Sequence, residues 1–186
     1  MNSGKNSTVI SKTLRYERLV YSLHQDLYRY SLWICKNPHL AEDMVQETFL
    51  RAWRSLDSLK NEAAAKSWLF TILRREHARL FERYRPDMRD IDELSVPADD
   101  RSANPDHKLE NEQLISAIEQ LDQNYREPLL LQVLGGFSGK EIAAILELNN
   151  NTVMTRLFRA RNQLMEKLQP QAQSEAEAQS NDHKFA

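Results

Sequence analysis

The chain has 186 residues, a formal net charge of -2, four glycines, 41% hydrophobic residues and 28% charged residues. This composition is typical of a mostly helical chain of one domain or two small ones, and it excludes a uniformly basic DNA-binding protein, so nucleic-acid affinity must come from local patches. The single cysteine, Cys35, excludes intramolecular disulfides and cysteine zinc clusters, and the lack of a long apolar run or signal sequence predicts a cytoplasmic protein without a membrane span.

Helical periodicity predicts two helices near the start of the chain, after a polar segment (1–11) that we expect to be mobile. The first covers residues 12–36, and Asn37 and Pro38 end it and open the second, which covers 38–56. The outward side of the second helix carries three polar residues by this count: Asp43, Gln46 and Glu47. They form either a solvated acidic face or a docking surface for a protein partner.

A third helix is predicted over residues 66–84, after a loop or a short turn at 57–65. Six basic and two acidic residues leave a net charge of +4 between 66 and 85, and aromatic residues are interspersed with the basic ones. Basic residues combined with aromatic rings suit single-stranded nucleic acid, whose bases stack on the rings. The alternative is that Trp68 and Phe70 belong to the hydrophobic core, which we favour for Trp68.

The composition changes abruptly after the third helix. Residues 86–112 carry a net charge of -6 and three prolines. We interpret residues 86–107 as an acidic linker between two domains, at 12–85 and 108–168. The polar segment 169–186 is expected to be disordered. The predicted fold class is therefore all-α, with two small helical domains joined by an acidic linker.

The second domain is predicted to contain a helix-turn-helix. A helix in which Pro128 fits only the first turn precedes this motif. Ser138 and Glu141 then have the spacing of a capping box at a helix start. After a short polar turn, the last helix begins near Asn150 or Asn151, both of which are good N-terminal caps.

The last helix has two chemically different faces. Its apolar residues follow helical spacing and are expected to point inward: Val153, Leu157, Ala160, Leu164 and Leu168. Polar and basic residues lie opposite: Thr152, Thr155, Arg156, Arg159 and Gln163. Such side chains contact phosphates and base edges when a recognition helix enters the major groove of DNA. The alternative is a solvated basic face on an ordinary helical hairpin.

Catalytic and cofactor-binding motifs are absent from the sequence. It contains neither a phosphate-binding loop nor a dinucleotide fingerprint, and its five histidines are too scattered to form a metal site. No nucleophile and base can be paired. We therefore expect a binding protein that is not an enzyme and needs no cofactor or metal.

Three segments together resemble bacterial RNA polymerase sigma factors of the extracytoplasmic-function (ECF) group. They are AEDMVQETFLRAW, KSWLFTILRREHARLFERYR and, after the acidic linker, YREPLLLQVLGGFSGKEIAAILELNNNTVMTRLFRAR. The resemblance covers residues 16–168. It implies that the first domain binds core RNA polymerase and the melted, single-stranded minus-10 element, and that the second binds the duplex minus-35 element. It further implies initiation at a specific set of promoters in response to stress or another signal, and an anti-sigma factor as a partner.

The resemblance also implies roles for individual residues. It assigns core polymerase binding to Asp43, Gln46 and Glu47. It assigns capture of a flipped minus-10 base to Lys60, Asn61, Glu62, Ala63 and Ala64. It places Arg75 and Arg79 against the non-template strand. It assigns the minus-35 element to Met154, Thr155, Arg156 and Arg159. Thr152 lies in the first turn of the same helix, where the backbone amides and the helix dipole favour a phosphate of that element. Arg75 stands where the family commonly has Asn, which leaves the preferred minus-10 sequence open.

Two other classes of protein account for part of the sequence. A transcriptional regulator that binds DNA alone requires a ligand cavity or phosphorylation site in its first domain, whereas this domain pairs an acidic helix with a basic one. An anti-sigma or adaptor protein explains the acidic helix but leaves the Arg-rich recognition helix without a role.

Overall fold

The computed structural model describes residues 3–84 and 105–182, with side chains for 12–80, 82 and 111–168. These residues form seven α-helices and two 3-10 turns, without a strand. The elements are α1 (Ser3–Cys35), α2 (Pro38–Ser55), the 3-10 turns Leu56–Ser58 and Glu62–Ala64, α3 (Ala65–Tyr84), α4 (Pro105–Glu119), α5 (Gln123–Val133), α6 (Gly139–Leu146) and α7 (Asn150–Asp182). The all-α prediction is confirmed. The predicted linker lies outside the described residues as far as residue 104.

Helices α1, α2 and α3 pack around an apolar core and form the first helical unit. Leu27, Val45 and Leu73 are almost completely buried within it. Asn37 caps α2 by accepting a hydrogen bond from the amide of Leu40 (3.1 Å), which agrees with the predicted Asn-Pro boundary. Because each helix has one apolar side, most polar residues of α2 and α3 are left at the surface, whereas Thr48 and Glu76 are buried.

Helices α4 to α7 form the second unit, and α6 and α7 are its predicted helix-turn-helix. Ser138 and Glu141 form the predicted capping box at the start of α6. Glu147 ends α6 in the left-handed region, with φ 56°. Asn149, whose side chain accepts from the amide of Asn151 (2.8 Å), caps α7 one residue earlier than predicted. Three residues predicted to point inward are completely buried: Val153, Leu157 and Ala160.

The outer helices are longer than the sequence predicts. Helix α1 begins at Ser3 rather than near residue 12, and α7 continues to Asp182, beyond the end of the predicted second domain at residue 168. Adding residues to an existing helix needs no new nucleus, so a stable segment can extend into weakly helical sequence. The extension of α7 also contains Gln, Ala and Glu, which are good helix formers. No described helix combines the length and apolar character needed to cross a membrane.

Pro128 occupies an unexpected position inside α5. The sequence placed it in the first turn, but Asp122 caps the helix further upstream by accepting from the amide of Asn124 (2.8 Å). A proline in a helix removes one backbone hydrogen bond, here to the carbonyl of Asn124. Its ring is buried, so packing offsets part of that loss.

Replacing Ser138 by Ala should destabilise the fold by about 1 kcal/mol, because the amide of Glu141 loses its acceptor. Urea unfolding followed by circular dichroism measures this difference.

The difference should also depend on pH. Hydrogen bonds from Ser138 lower the pKa of Glu141, so their stabilising effect is present above the unfolded pKa and is lost as the pH falls through the folded pKa. The difference between the proteins should therefore shrink in acid. Ser138→Thr keeps the hydroxyl and should behave like the wild type; equal stability of the Ala variant contradicts the assignment.

Candidate nucleic-acid and protein interfaces

The predicted protein-binding residues lie on the side of α2 that faces away from the core. Asp43 and Gln46 are exposed, whereas Glu47 is half-buried and forms an ion pair with Arg51 (2.9 Å). The opposite side of the helix is held in the core by Met44, Val45 and Phe49. This packing fixes the direction in which the polar residues point and leaves Asp43 and Gln46 accessible to another protein.

The predicted minus-10 loop leads from the first 3-10 turn into α3. Its exposed residues are Lys60, Asn61, Glu62 and Ala63, and Ala64 is half-buried. The side chain of Asn61 shapes the turn by accepting a hydrogen bond from the amide of Ala63 (3.0 Å). Leu59 and Ala65, on either side of this segment, are buried. The loop therefore presents a polar tip between two anchored ends.

Arg15, on α1, holds the base of this loop. Its guanidinium donates hydrogen bonds to the carbonyls of Leu56 (3.4 Å) and Leu59 and forms an ion pair with Glu62. The planar guanidinium can serve several acceptors at once, which a lysine ammonium does less rigidly. The sequence does not reveal this contact, because the partners lie 41 to 47 residues further along the chain. The only feature of the sequence that could have indicated this contact is the position of Arg15, four residues before Leu19 and at the edge of the apolar stripe of α1.

Arg75 and Arg79 are both at the surface of α3, and both form ion pairs. The side chain of Arg75 is 62% exposed and contacts Glu147 of the second unit (3.3 Å). Arg79 is 55% exposed and contacts the buried carboxylate of Glu76 (2.6 Å). The two arginines are accessible as predicted, but Arg75 is already bound to the helix-turn-helix.

A groove of about 350 Å³ lies between the loop and α3. Its first-unit side is lined by Ser58, Leu59, Lys60, Asn61, Ala64, Ser67, Trp68 and Thr71. Its other side is formed by Ala144 and Ile145 of α6. Trp68 is half-buried and packs against the core, as we favoured, whereas Phe70 is completely buried and is unavailable for stacking on bases. The groove therefore combines a lysine, polar groups and part of one aromatic ring.

The predicted minus-35 residues lie at the surface of α7. The exposed ones are Thr152, Met154, Thr155 and Arg159, and Arg156 is half-buried. Successive helical residues are about 100° apart, so Met154 and Arg156 point to nearly opposite sides, with Thr155 between them. Arg159 donates a long hydrogen bond to the hydroxyl of Tyr125 on α5 (3.4 Å). The surface is thus broader than a single stripe and includes the neighbouring edge of α5.

Phe158 is an additional member of this surface. It is 62% exposed and lies one turn after Met154, which is 51% exposed. An exposed apolar side chain on a recognition helix suits contact with the methyl group of thymine. The sequence carried a signal, since Phe158 falls outside the apolar stripe of α7. However, large apolar residues are usually buried, so the prediction of a DNA-contacting face favoured the polar residues and omitted Phe158.

Comparison with protein families matches the two units separately. The family Sigma-70 region 2 matches residues 19–89, and Sigma-70, region 4 matches residues 111–164. The chain is 30% identical to the ECF RNA polymerase sigma factor SigM of Bacillus subtilis (strain 168) over 148 residues, which are 78% of this chain and 90% of SigM. It is 33% identical to the ECF RNA polymerase sigma-E factor of Escherichia coli (strain K12) over 140 residues, which are 69% of this chain and 73% of that protein.

Two solved structures are similar to the whole arrangement. The sigma factor RpoE from Bartonella quintana, in complex with the anti-sigma factor NepR, has a TM-score of 0.68 and 29% identity, covering 83% of this chain and 96% of that chain. CnrH, in complex with the cytosolic domain of CnrY, has a TM-score of 0.61 and 25% identity, covering 83% of this chain and 88% of that chain.

Replacing Arg15 by Ala should loosen the loop at 59–64 without unfolding the first unit. Hydrogen exchange measured by mass spectrometry should become about tenfold faster in this segment, because hydrogen bonds to a charged group contribute roughly 1.5–3 kcal/mol. The matched control is Arg18→Ala, which removes an exposed arginine of the same helix and should leave the exchange unchanged. Equal exchange in both variants contradicts the positioning role of Arg15.

Proposed function

Because this chain belongs to the ECF group of RNA polymerase sigma factors, we propose that it binds core RNA polymerase in the cytoplasm and directs the melting of a specific set of promoters in response to stress or another signal. It supplies sequence recognition and strand capture to an enzyme that carries out the catalysis. The observation that carries this proposal is the presence, in one chain, of a recognition helix suited to duplex DNA and a separate polar groove suited to a single base.

We assign polymerase binding to the polar side of α2. Asp43 and Gln46 are exposed on a helix whose other side is locked in the core, so they can meet a partner without rearrangement of the fold. Glu47 contributes to polymerase binding through the part of its side chain that remains exposed beside its ion pair with Arg51. Carboxylates in such a patch attract a basic surface and increase the rate of productive encounter.

We assign the melted minus-10 element to the loop and to α3. A base unstacked from the duplex can enter the groove beside Asn61 and Trp68, where amide and aromatic groups meet its edge and face. Lys60, Arg75 and Arg79 provide positive charge for the phosphates of the same strand. Arg15 contributes indirectly by holding the loop in the required shape.

We assign the duplex minus-35 element to α7. The amides of the first turn, with Thr152, are placed to meet a phosphate at the positive end of the helix dipole. Arg159 lies two turns along and has the length and geometry for a bidentate contact to guanine. Met154 and Phe158 form an apolar side that suits thymine methyl groups.

We also propose an anti-sigma protein as a partner. The sigma factor RpoE, whose fold this chain shares, was solved bound to the anti-sigma factor NepR. The described residues contain no cluster of side chains that could hold a metal, so this part of the chain has no evident metal site through which it could sense a signal. Purification of the chain from its native host without stress, followed by mass spectrometry, should recover a stoichiometric inhibitor.

Reconstitution with core RNA polymerase tests the proposal directly. The purified chain should allow the core enzyme to start run-off transcripts from a discrete subset of genomic fragments.

Replacing Asp43, Gln46 and Glu47 together by Ala should weaken core binding, measured by fluorescence anisotropy. The polar docking groups are lost in this variant, while the buried side of α2 is untouched. Glu17→Ala, at an exposed acid of α1, is the control. Absence of defined transcripts rules out the sigma function, and unchanged core affinity of the triple variant rules out this docking face.

Arg159→Ala should relax the base preference at one minus-35 position, with a loss of about 1–3 kcal/mol for the preferred base. The measurement is transcription from a promoter library randomised across the minus-35 element. The control is Arg161→Ala on the same helix, because Arg161 instead donates to Gln132 of α5 (2.6 Å). That variant should affect all sequences about equally. If Arg159→Ala retains the full preference at every position, Arg159 contacts phosphate or another protein group.

A further inference from the structure

Glu76 is a buried acid of α3 to which the proposed function gives no role. Its side chain is 8% exposed and lies where α3 packs against α2. One carboxylate oxygen, Oε1, is 2.6 Å from Nε of Arg51 on α2 and 2.6 Å from Nη1 of Arg79 on α3. Burying a carboxylate without a cationic partner is very unfavourable, so the two arginines make this position possible.

The two arginines differ in their surroundings. Arg51 also forms an ion pair with Glu47 (2.9 Å), so α2 supplies this arginine with an acid of its own. The side chain of Arg79 is 55% exposed, and it donates its hydrogen bond to Glu76 through Nη1. A guanidinium carries five N–H donors in a rigid plane, so this contact leaves donors for a second acceptor at the surface. Glu76 therefore fixes the direction of Arg79 without using up its guanidinium.

The stability of the fold does not by itself account for a buried acid at this position. Among the residues whose side chains are described, Glu76 is the only charged one that is buried, and Leu69 and Leu73 on the inward side of the same helix are completely buried. Replacing a buried ion pair by apolar side chains of similar volume is often neutral or stabilising. A carboxylate between two arginines is explained instead if it orients a cation that has a function.

We propose that Glu76 is a positioning residue for strand capture, which holds the guanidinium of Arg79 in the direction from which its remaining donors meet a phosphate of single-stranded DNA. This inference rests on the proposed function, which assigns Arg79 to the melted minus-10 strand. Fixing a long side chain in advance reduces the entropy that is lost on binding. Because Arg51 shares the carboxylate, Arg79 is not its only counter-ion and keeps an attraction for phosphate.

Replacing Glu76 by Gln separates positioning from charge, because the two effects have opposite signs. The substitution removes a negative charge, and simple electrostatics should then strengthen binding to DNA. Loss of the fixed direction of Arg79 should instead weaken binding several-fold. The matched control is Glu82→Gln, which makes the same change of charge at an exposed acid of the same helix and should bind at least as tightly as the wild type.

The measurement uses the full chain assembled with core RNA polymerase, with the core enzyme alone as the baseline. Fluorescence anisotropy gives the affinity for a short single-stranded DNA of randomised sequence, and urea unfolding followed by circular dichroism checks the fold of every variant. Glu76→Gln is also made together with Arg79→Ala. In that background it should cause no further loss of affinity, because Glu76 acts through Arg79.

Arg79→Lys provides a second test that leaves the interior unchanged. An ammonium keeps the charge but lacks the rigid fork of donors, so this variant should also bind the DNA several-fold more weakly than the wild type. Wild-type affinity of Arg79→Lys overturns the positioning role even if Glu76→Gln fails to fold.

The remaining outcomes separate this inference from the proposed function. Equal affinity of Glu76→Gln and Glu82→Gln overturns the positioning role, and so does an equal loss caused by Glu76→Gln with and without Arg79. If Arg79→Ala itself binds the DNA like the wild type, the assignment of Arg79 to the minus-10 strand fails instead.

Discussion

The apolar side of α3 is the constraint on which the arrangement of this molecule depends. Leu69, Phe70 and Leu73 are completely buried on it. Burying a large apolar side chain contributes roughly 1.5–3 kcal/mol, which is more than an exposed ion pair of the same helix contributes. The core therefore sets the rotation of α3, and Arg75 and Arg79 take the outward positions that remain. Their availability for DNA is a consequence of hydrophobic packing.

Apolar burial also outweighs surface contacts in α7, and it determines which side of the recognition helix is exposed. Val153, Leu157 and Ala160 are completely buried against the rest of the second unit, so Thr155 and Phe158 must face outward. Helix α6 begins with a capping box and ends at Glu147 in the left-handed conformation, and these two ends together define the turn before α7. The surface proposed to read DNA is therefore defined by a rigid scaffold, and side-chain identity at the exposed positions can vary without altering the fold.

Arg75 illustrates how one side chain can serve two alternative partners. A guanidinium binds a carboxylate and a phosphate through the same donors, and both contacts are charge-assisted. In this structure the carboxylate of Glu147 holds this position, and in the proposed complex with DNA a phosphate takes it. Such competition needs no change in the folded units themselves.

Much of the site could be predicted because its signals are local. The Asn37-Pro38 boundary, the Ser138–Glu141 capping box and the inward stripe of α7 each depend on residues within a few turns of one another, so spacing alone identifies them. The order of the motifs on either side of an acidic segment was enough to indicate the family. The same local rules could not place Pro128 or the ends of α1 and α7, where packing and helix propagation outweigh local preference.

Local patterns along the chain specify the helical class, the helix-turn-helix and the residue types present at each surface, because the helical repeat and the caps act over short distances. Long-range packing alone shows that Arg15 supports the loop at 59–64, that Phe70 is core and that Phe137 of the second unit packs on Phe70 of the first. These contacts join residues that are far apart in the chain, as Arg15 and Leu56 are. They form only when separate apolar faces find each other, and no local pattern specifies which faces will meet.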